Sequence, residues 1–85
     1  MADLNIEIIT PAEVIFKGSA DSISLPGTKA PFQVLKDHAP IVSSLDEGKI
    51  KIDISGKEMI FQSSTGFAEI NNNIVSVLVE SAQEL

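Results

Sequence analysis

The chain has no cysteine, no tryptophan, no tyrosine and no arginine. Without cysteine, disulfides, thiolate metal ligands and thiol nucleophiles are excluded together, a pattern that fits a reducing compartment. Without Trp or Tyr, the usual platforms for stacking sugars are missing. Without arginine, all six cations are lysines, set against twelve acids for a net charge of −6. Phosphate backbones are bound by cations that displace counterions, and bases are read largely by Arg, so this balance argues against a nucleic-acid ligand. Long apolar runs are missing too: the longest spans a few residues, against the ~20 that a membrane helix needs. The start, "MADLNIEII", places Asp3 and Glu7 where a signal peptide would carry a basic region and an apolar stretch. Membrane association is therefore expected only indirectly, through a partner.

What remains is aliphatic. Of 85 residues 44% are hydrophobic, mostly Ile, Val and Leu, with four Phe. A chain this short buries roughly 60–65% of its unfolded surface, so one domain over 1–85 with an economical core is expected. Period-two alternation recurs along it. "LNIEI" sets Leu4, Ile6 and Ile8 against Asn5 and Glu7; "DSISL" does the same with Ile23 and Leu25. In "KIKIDI", Ile50, Ile52 and Ile54 alternate with Lys49, Lys51 and Asp53. "EMIFQ" and "GFAEI" read as further strands, and "IVSVLVE" is β-branched and apolar on both sides. "TPAE", "KGSAD", "PGTKAP", "DEG", "SGK" and "NNN" are turn signals between these runs. Thr10-Pro11-Ala12-Glu13 matches a helix capping box, but Val14-Ile15-Phe16 follows at once, so a simple turn is expected. The tail "SAQEL" has the composition of a helix start and ends too soon to form one. Short strands with frequent turns predict an all-β sandwich or small barrel.

Reaction chemistry finds little support. One histidine and no cysteine argue against structural zinc. Ser43, Ser44 and Asp37 lie near His38, but no nucleophile elbow or oxyanion loop accompanies them. His38 reads instead as a loop residue fixed by hydrogen bonding or contacting a partner. No phosphate-binding glycine motif occurs. Lys57, after the "SG" of a hairpin tip, raises a lipoyl- or biotinyl-carrier alternative. The residue before it is Gly56, where such domains usually have methionine or an acid, so a solvated turn lysine is the simpler reading. No cofactor is expected. In 74–80, Val75, Val77 and Val79 form one face and leave Ile74 and Leu78 on the other. Either another segment covers these two, or they belong to an interface. "FQVL" and "APIVSSL" also carry apolar residues on both faces.

Taken together, "IITPAEVIFKGSADSISLPGTKAPFQVLKDHAPIVSSLDEGKIKI" and "STGFAEINNNIVSVLVESAQEL" resemble the N-terminal domain of the epsilon subunit of bacterial and chloroplast F-type ATP synthases. The resemblance runs from about Ile8 to Ala82. Its order of motifs is a "TP" turn, "F-x-G", a Pro-Gly loop, "HAP" and "L-x-x-G-x-I", then a terminal "GF-x-E" and "N-x-V". It implies a sandwich of two roughly five-stranded antiparallel sheets. It also implies a non-catalytic rotor part that binds the gamma subunit and rests on the polar loops of the c-ring. The expected location is the cytoplasmic side of a bacterial inner (plasma) membrane, held there by the complex. By the same resemblance, His38, Ala39, Pro40 and Ser43 fall in the region used against gamma, to which Ile74 and Leu78 are added as apolar outward positions. Gly27, Thr28, Lys29, Ala30, Pro31 and Phe32 match the loop that meets the c-ring.

Departures from the family pattern lie in these same loops. Ala30, Pro31 and Gln33 replace the family's glycines and glutamate, Lys29 stands where an acid is usual, and Lys36-Asp37 replaces Pro-Gly before the histidine. The family's C-terminal helical hairpin is absent from these 85 residues, and Met1 with the "AQEL" ending favours a complete chain.

Overall fold

Alternating side chains can bury one face only if a second layer meets them, and the strands do pair into two facing sheets. The computed structural model describes residues 4–85; of the N-terminal start, residues 1–3 with Asp3 lie outside the described residues. The strands are β1 Leu4–Ile9, β2 Val14–Ala20, β3 Ser22–Leu25, β4 Phe32–Leu35 and β5 Ile41–Leu45. They continue as β6 Gly48–Ile54, β7 Lys57–Ser63, β8 Gly66–Asn71, β9 Ile74–Val79 and β10 Ala82–Glu84. The first sheet has the order β2-β1-β9-β8-β5 and the second β10-β7-β6-β3-β4, five strands each.

The sandwich is as expected, with one refinement. β1 and β9 run parallel, Ile6 beside Val75 and Ile8 beside Val77, while the other pairs are antiparallel. Alternation looks the same in either direction, so strand polarity was invisible in the pattern. The core joins Leu4, Ile6, Ile8, Val75 and Val77 of the first sheet to Ile23, Leu25, Val34, Ile50, Ile52 and Phe61 of the second. The Phe16 and Phe61 rings meet edge to face across it, centroids 5.9 Å apart.

Two local expectations change. "KGSAD" is mostly strand: β2 runs to Ala20, and only Asp21 bends before β3. Gly18 pairs with Ile6 on the inward side, and the Phe16 ring takes the space a side chain would have filled. The tail is also strand. Ala82, Gln83 and Glu84 pair with Ser63, Gln62 and Phe61, and the Leu85 amide donates to the Ile60 carbonyl at 2.8 Å. A free β7 edge offers those hydrogen bonds and overrides the helical leaning of Ala, Gln and Glu.

The turns follow local chemistry. At the β1–β2 hairpin the Thr10 hydroxyl accepts from the Glu13 amide, a capping-box contact closing a turn with no helix behind it. Asn72 and Asn73 both have positive φ between β8 and β9, as do Ser55 and Gly56 between β6 and β7. The Ser55 amide is held by Asp21 Oδ2 at 2.8 Å.

Candidate subunit interface

No group of three or more His, Asp or Glu placed to hold a metal occurs among the described residues. His38 Nδ1 lies 2.7 Å from the Ala39 carbonyl, an acceptor, which requires the Nδ1–H tautomer. Ser43 Oγ donates to the Ser44 carbonyl and Ser44 Oγ to Thr28 Oγ1. Imidazole and hydroxyls thus engage neighbours rather than one another, and the arrangement is not that of a nucleophile and base. Lys57 is the first residue of β7, paired with Ile54 beyond the Ser55-Gly56 tip.

The outer face of the first sheet is where the chain departs from ordinary surface. Ile74 and Leu78 are each 51% exposed, so no other segment of the described chain covers them. Register extends this patch across the sheet. Val14 pairs with Ile9, Ile9 with Leu78, Leu78 with Phe67, and Phe67 with Ser44. Paired residues of neighbouring strands project to one side about 5 Å apart, so Val14, Ile9, Leu78 and Phe67 form a continuous apolar row across four strands. Phe67, 57% exposed, is its largest member. An open groove of about 720 Å³ follows the same end of the sheet, lined by Ile9, Pro11, Thr28, Phe67 and Leu78 among others.

Of the residues expected to face partners, His38, Ala39 and Pro40 lie in the loop from β4 to β5, at the β8–β9 turn end of the first sheet. His38 is half-buried, Ala39 and Pro40 exposed. Pro40 borders a shallow depression with Val42, Glu69 and Asn71, and Ile74 borders the adjoining one with Glu69 and Asn71. Ser43 is half-buried and pairs with buried Ala68, so its side chain is on the inward side of β5 and is poorly placed for an outside partner. Leu78 lies four residues along β9 from Ile74, about 13 Å at strand rise. It shares its groove with Thr28, so the two expected patches adjoin at that end.

The loop 26–31 is built rather than slack. Gly27 is buried and bridges Leu45; the Thr28 amide donates to the Ser44 carbonyl at 3.0 Å and the Asp46 amide to the Pro26 carbonyl at 2.8 Å. A Cβ at Gly27 would stand 2.5 Å from the Ala30 carbonyl oxygen, so only glycine fits. Thr28, Lys29, Ala30 and Pro31 are exposed along this tip, and half-buried Phe32 packs back against the core. Reading the sequence missed Phe67, Val14 and Ile9 as outward apolar positions. For Phe67 a signal existed: in "GFAEI" it alternates with Ala68 and Ile70, which the strand pattern sends inward.

The chain is thus an all-β sandwich of two five-stranded sheets with one uncovered apolar face and a pinned loop beside it. Comparison with known proteins gives its family. Residues 3–85 match ATP synthase, Delta/Epsilon chain, beta-sandwich domain, and the chain belongs to that family. It is 38% identical over 76 residues to the ATP synthase epsilon chain of Chlorobaculum tepidum, covering 88% of this chain and 86% of that one. It is 32% identical over 81 residues to the chloroplastic ATP synthase epsilon chain of Emiliania huxleyi, covering 95% of this chain and 62% of that one. The chain thus spans under two thirds of some curated relatives and most of others. A chain in the cryo-EM structure of Euglena gracilis mitochondrial ATP synthase, OSCP/F1/c-ring in rotational state 1, superposes with a TM-score of 0.92 at 22% identity. That match covers 99% of this chain and 54% of the other, and it shows that the fold is shared. Nothing in these relationships supports a lipoyl or biotinyl carrier on Lys57.

Proposed function

We propose that this chain is the non-catalytic epsilon-type rotor element of an F-type ATP synthase, joining the gamma subunit to the c-ring and carrying ion-driven rotation toward ATP synthesis. The observation that carries the reading is the uncovered apolar row on the first sheet of a chain belonging to this family. Leaving Leu78, Phe67 and Val14 in water is unfavourable by roughly 25 cal/mol per Å² of apolar area, and a docked partner removes that penalty.

Gamma is assigned to the outer face of the first sheet, through Ile74 and Leu78, with His38, Ala39 and Pro40 at its loop end. Ser43 belongs to the same assignment only through the backbone of β5, given its inward side chain. The c-ring is assigned to the loop Gly27, Thr28, Lys29, Ala30, Pro31 and Phe32, with buried Gly27 and core-packed Phe32 shaping it from within. With Lys29 at its exposed tip, this loop suits an acidic partner loop. Membrane contact is then indirect, on the cytoplasmic side of a bacterial inner membrane. The chain acts here as a single domain, with residues 4–85 as the body gripped at adjoining patches. A gamma contact in the standard range buries about 1,200–2,000 Å² in total.

The test uses photo-crosslinking residues at Leu78 and at Lys29 of the chain assembled in membranes. Leu78 is expected to cross-link to gamma and Lys29 to subunit c. Exchange of the two targets, or no adduct from either, overturns the assignment. His38→Ala is expected to weaken association while leaving ATP hydrolysis by the catalytic head intact; loss of chemistry with intact association would contradict it.

A further inference from the structure

Asp37 has a φ of +65°, in the left-handed region. A residue with a Cβ is held in that region only where its surroundings compensate, and Asp tolerates it better than most. The compensation comes from across the molecule. The Asp37 amide donates to Asn73 Oδ1 at 2.6 Å, and Asn73 Nδ2 donates back to Asp37 Oδ1 at 3.3 Å. Asn73 is itself fixed: its φ is +63° in the β8–β9 turn, and its carbonyl accepts from the Asn5 amide at 2.9 Å. The loop leaving the second sheet is therefore tied to a turn of the first by a two-point clasp. One residue past the clasp on one side is His38, whose amide donates to the Leu35 carbonyl at 3.2 Å. One residue past it on the other is the exposed Ile74.

We propose that Asn73 is a positioning residue for partner docking: its side-chain amide holds Asp37 in the left-handed conformation and so sets His38-Ala39-Pro40 beside Ile74 as one continuous contact surface. The proposal rests on the assignment of gamma to this face. It adds that the surface is pre-ordered by a side-chain clasp, so that gamma does not bear the cost of ordering the loop.

The experiment measures binding of purified cognate gamma subunit to the full 85-residue chain by calorimetry, with backbone order in the free chain followed by NMR relaxation. Asn73→Gly keeps the turn conformation and deletes the amide. It is expected to weaken gamma binding about five- to tenfold, the scale of lost hydrogen bonds and restored loop freedom. Order parameters at 37–39 are expected to fall from about 0.85 toward 0.6 while those of the strands stay unchanged. Asn73→Asp sets two carboxylates face to face and should weaken binding likewise. The exchanged pair Asp37→Asn with Asn73→Asp keeps the backbone amide at 37 donating to a side-chain oxygen at 73 and reverses the side-chain hydrogen bond, and should restore affinity to within about twofold. A general loss of structure would instead lower the order parameters of the strands along with those of the loop. Unchanged binding in Asn73→Gly, or no recovery in the exchanged pair, overturns the proposal while the gamma assignment stands. If the wild-type chain does not bind gamma, the assignment falls, and the docking role of the clasp falls with it.

Discussion

Gly27 and Phe61 illustrate how single residues set the limits of this fold. A side chain at Gly27 would press on the Ala30 carbonyl and on the Phe32 ring, whose nearest atoms would lie 2.8 Å from its Cβ. Gly27→Val is expected to cost about 2–3 kcal/mol by urea denaturation, the range of overpacked cores, and to loosen the 26–31 loop. Gly66 is equally constrained, since a Cβ there would run into the Leu78 carbonyl oxygen. Phe61 is 1% exposed and meets Phe16 across the core. Phe61→Ala should cost about 3–5 kcal/mol, against roughly 5–10 kcal/mol of total stability for a small domain, leaving a chain near its unfolding threshold at 37 °C. A urea midpoint lowered by less than a quarter would contradict that expectation. The need for glycine at position 27 was hidden in the sequence, where "PGT" reads as an ordinary turn. The collision is with residues three and five positions on, brought back by the loop path.

Among the elements, β9 shows how one strand serves two purposes. Val75, Val77 and Val79 face the core, whereas Ile74 and Leu78 face outward on the same strand. Val77→Ala is expected to cost about 1.5–3 kcal/mol of folding stability. Leu78→Ala should change stability by less than about 0.5 kcal/mol while weakening recruitment into the central stalk. Thermal unfolding and co-purification with gamma separate the two effects; similar unfolding penalties for both would overturn the two-face reading. Most strands were legible in this way because half-burial writes period two into the residues. Strand β10 was not, since its three residues carry no such pattern and gain their conformation from the β7 edge. The parallel pairing of β1 with β9 was equally silent, because direction leaves no mark on alternation.

At the scale of the whole molecule, nearly every pairing beyond the hairpins joins distant stretches, β1 with β9 and β3 with β6 included. Such topologies fold slowly, and stopped-flow refolding is expected in the millisecond-to-second range rather than in microseconds. Amide exchange should be slowest in β1, β9 and β6, which are flanked on both sides, and fastest in the edge strands β2, β4, β5 and β10. Uniform protection across all ten strands would contradict this layered stability. Composition and alternation determined the class: an aliphatic, cysteine-free, arginine-free chain with period two buries its apolar faces as a β-sandwich or small barrel, and it has few groups with which to do chemistry. The same pattern could not tell whether Ile74 and Leu78 were covered, nor that Ile9, Val14 and Phe67 join Leu78 in a row. Those facts depend on strand order and register, which are set by contacts between residues far apart in the chain. The tertiary structure alone decided them, and it alone brought Asp37 within reach of Asn73, 36 residues away.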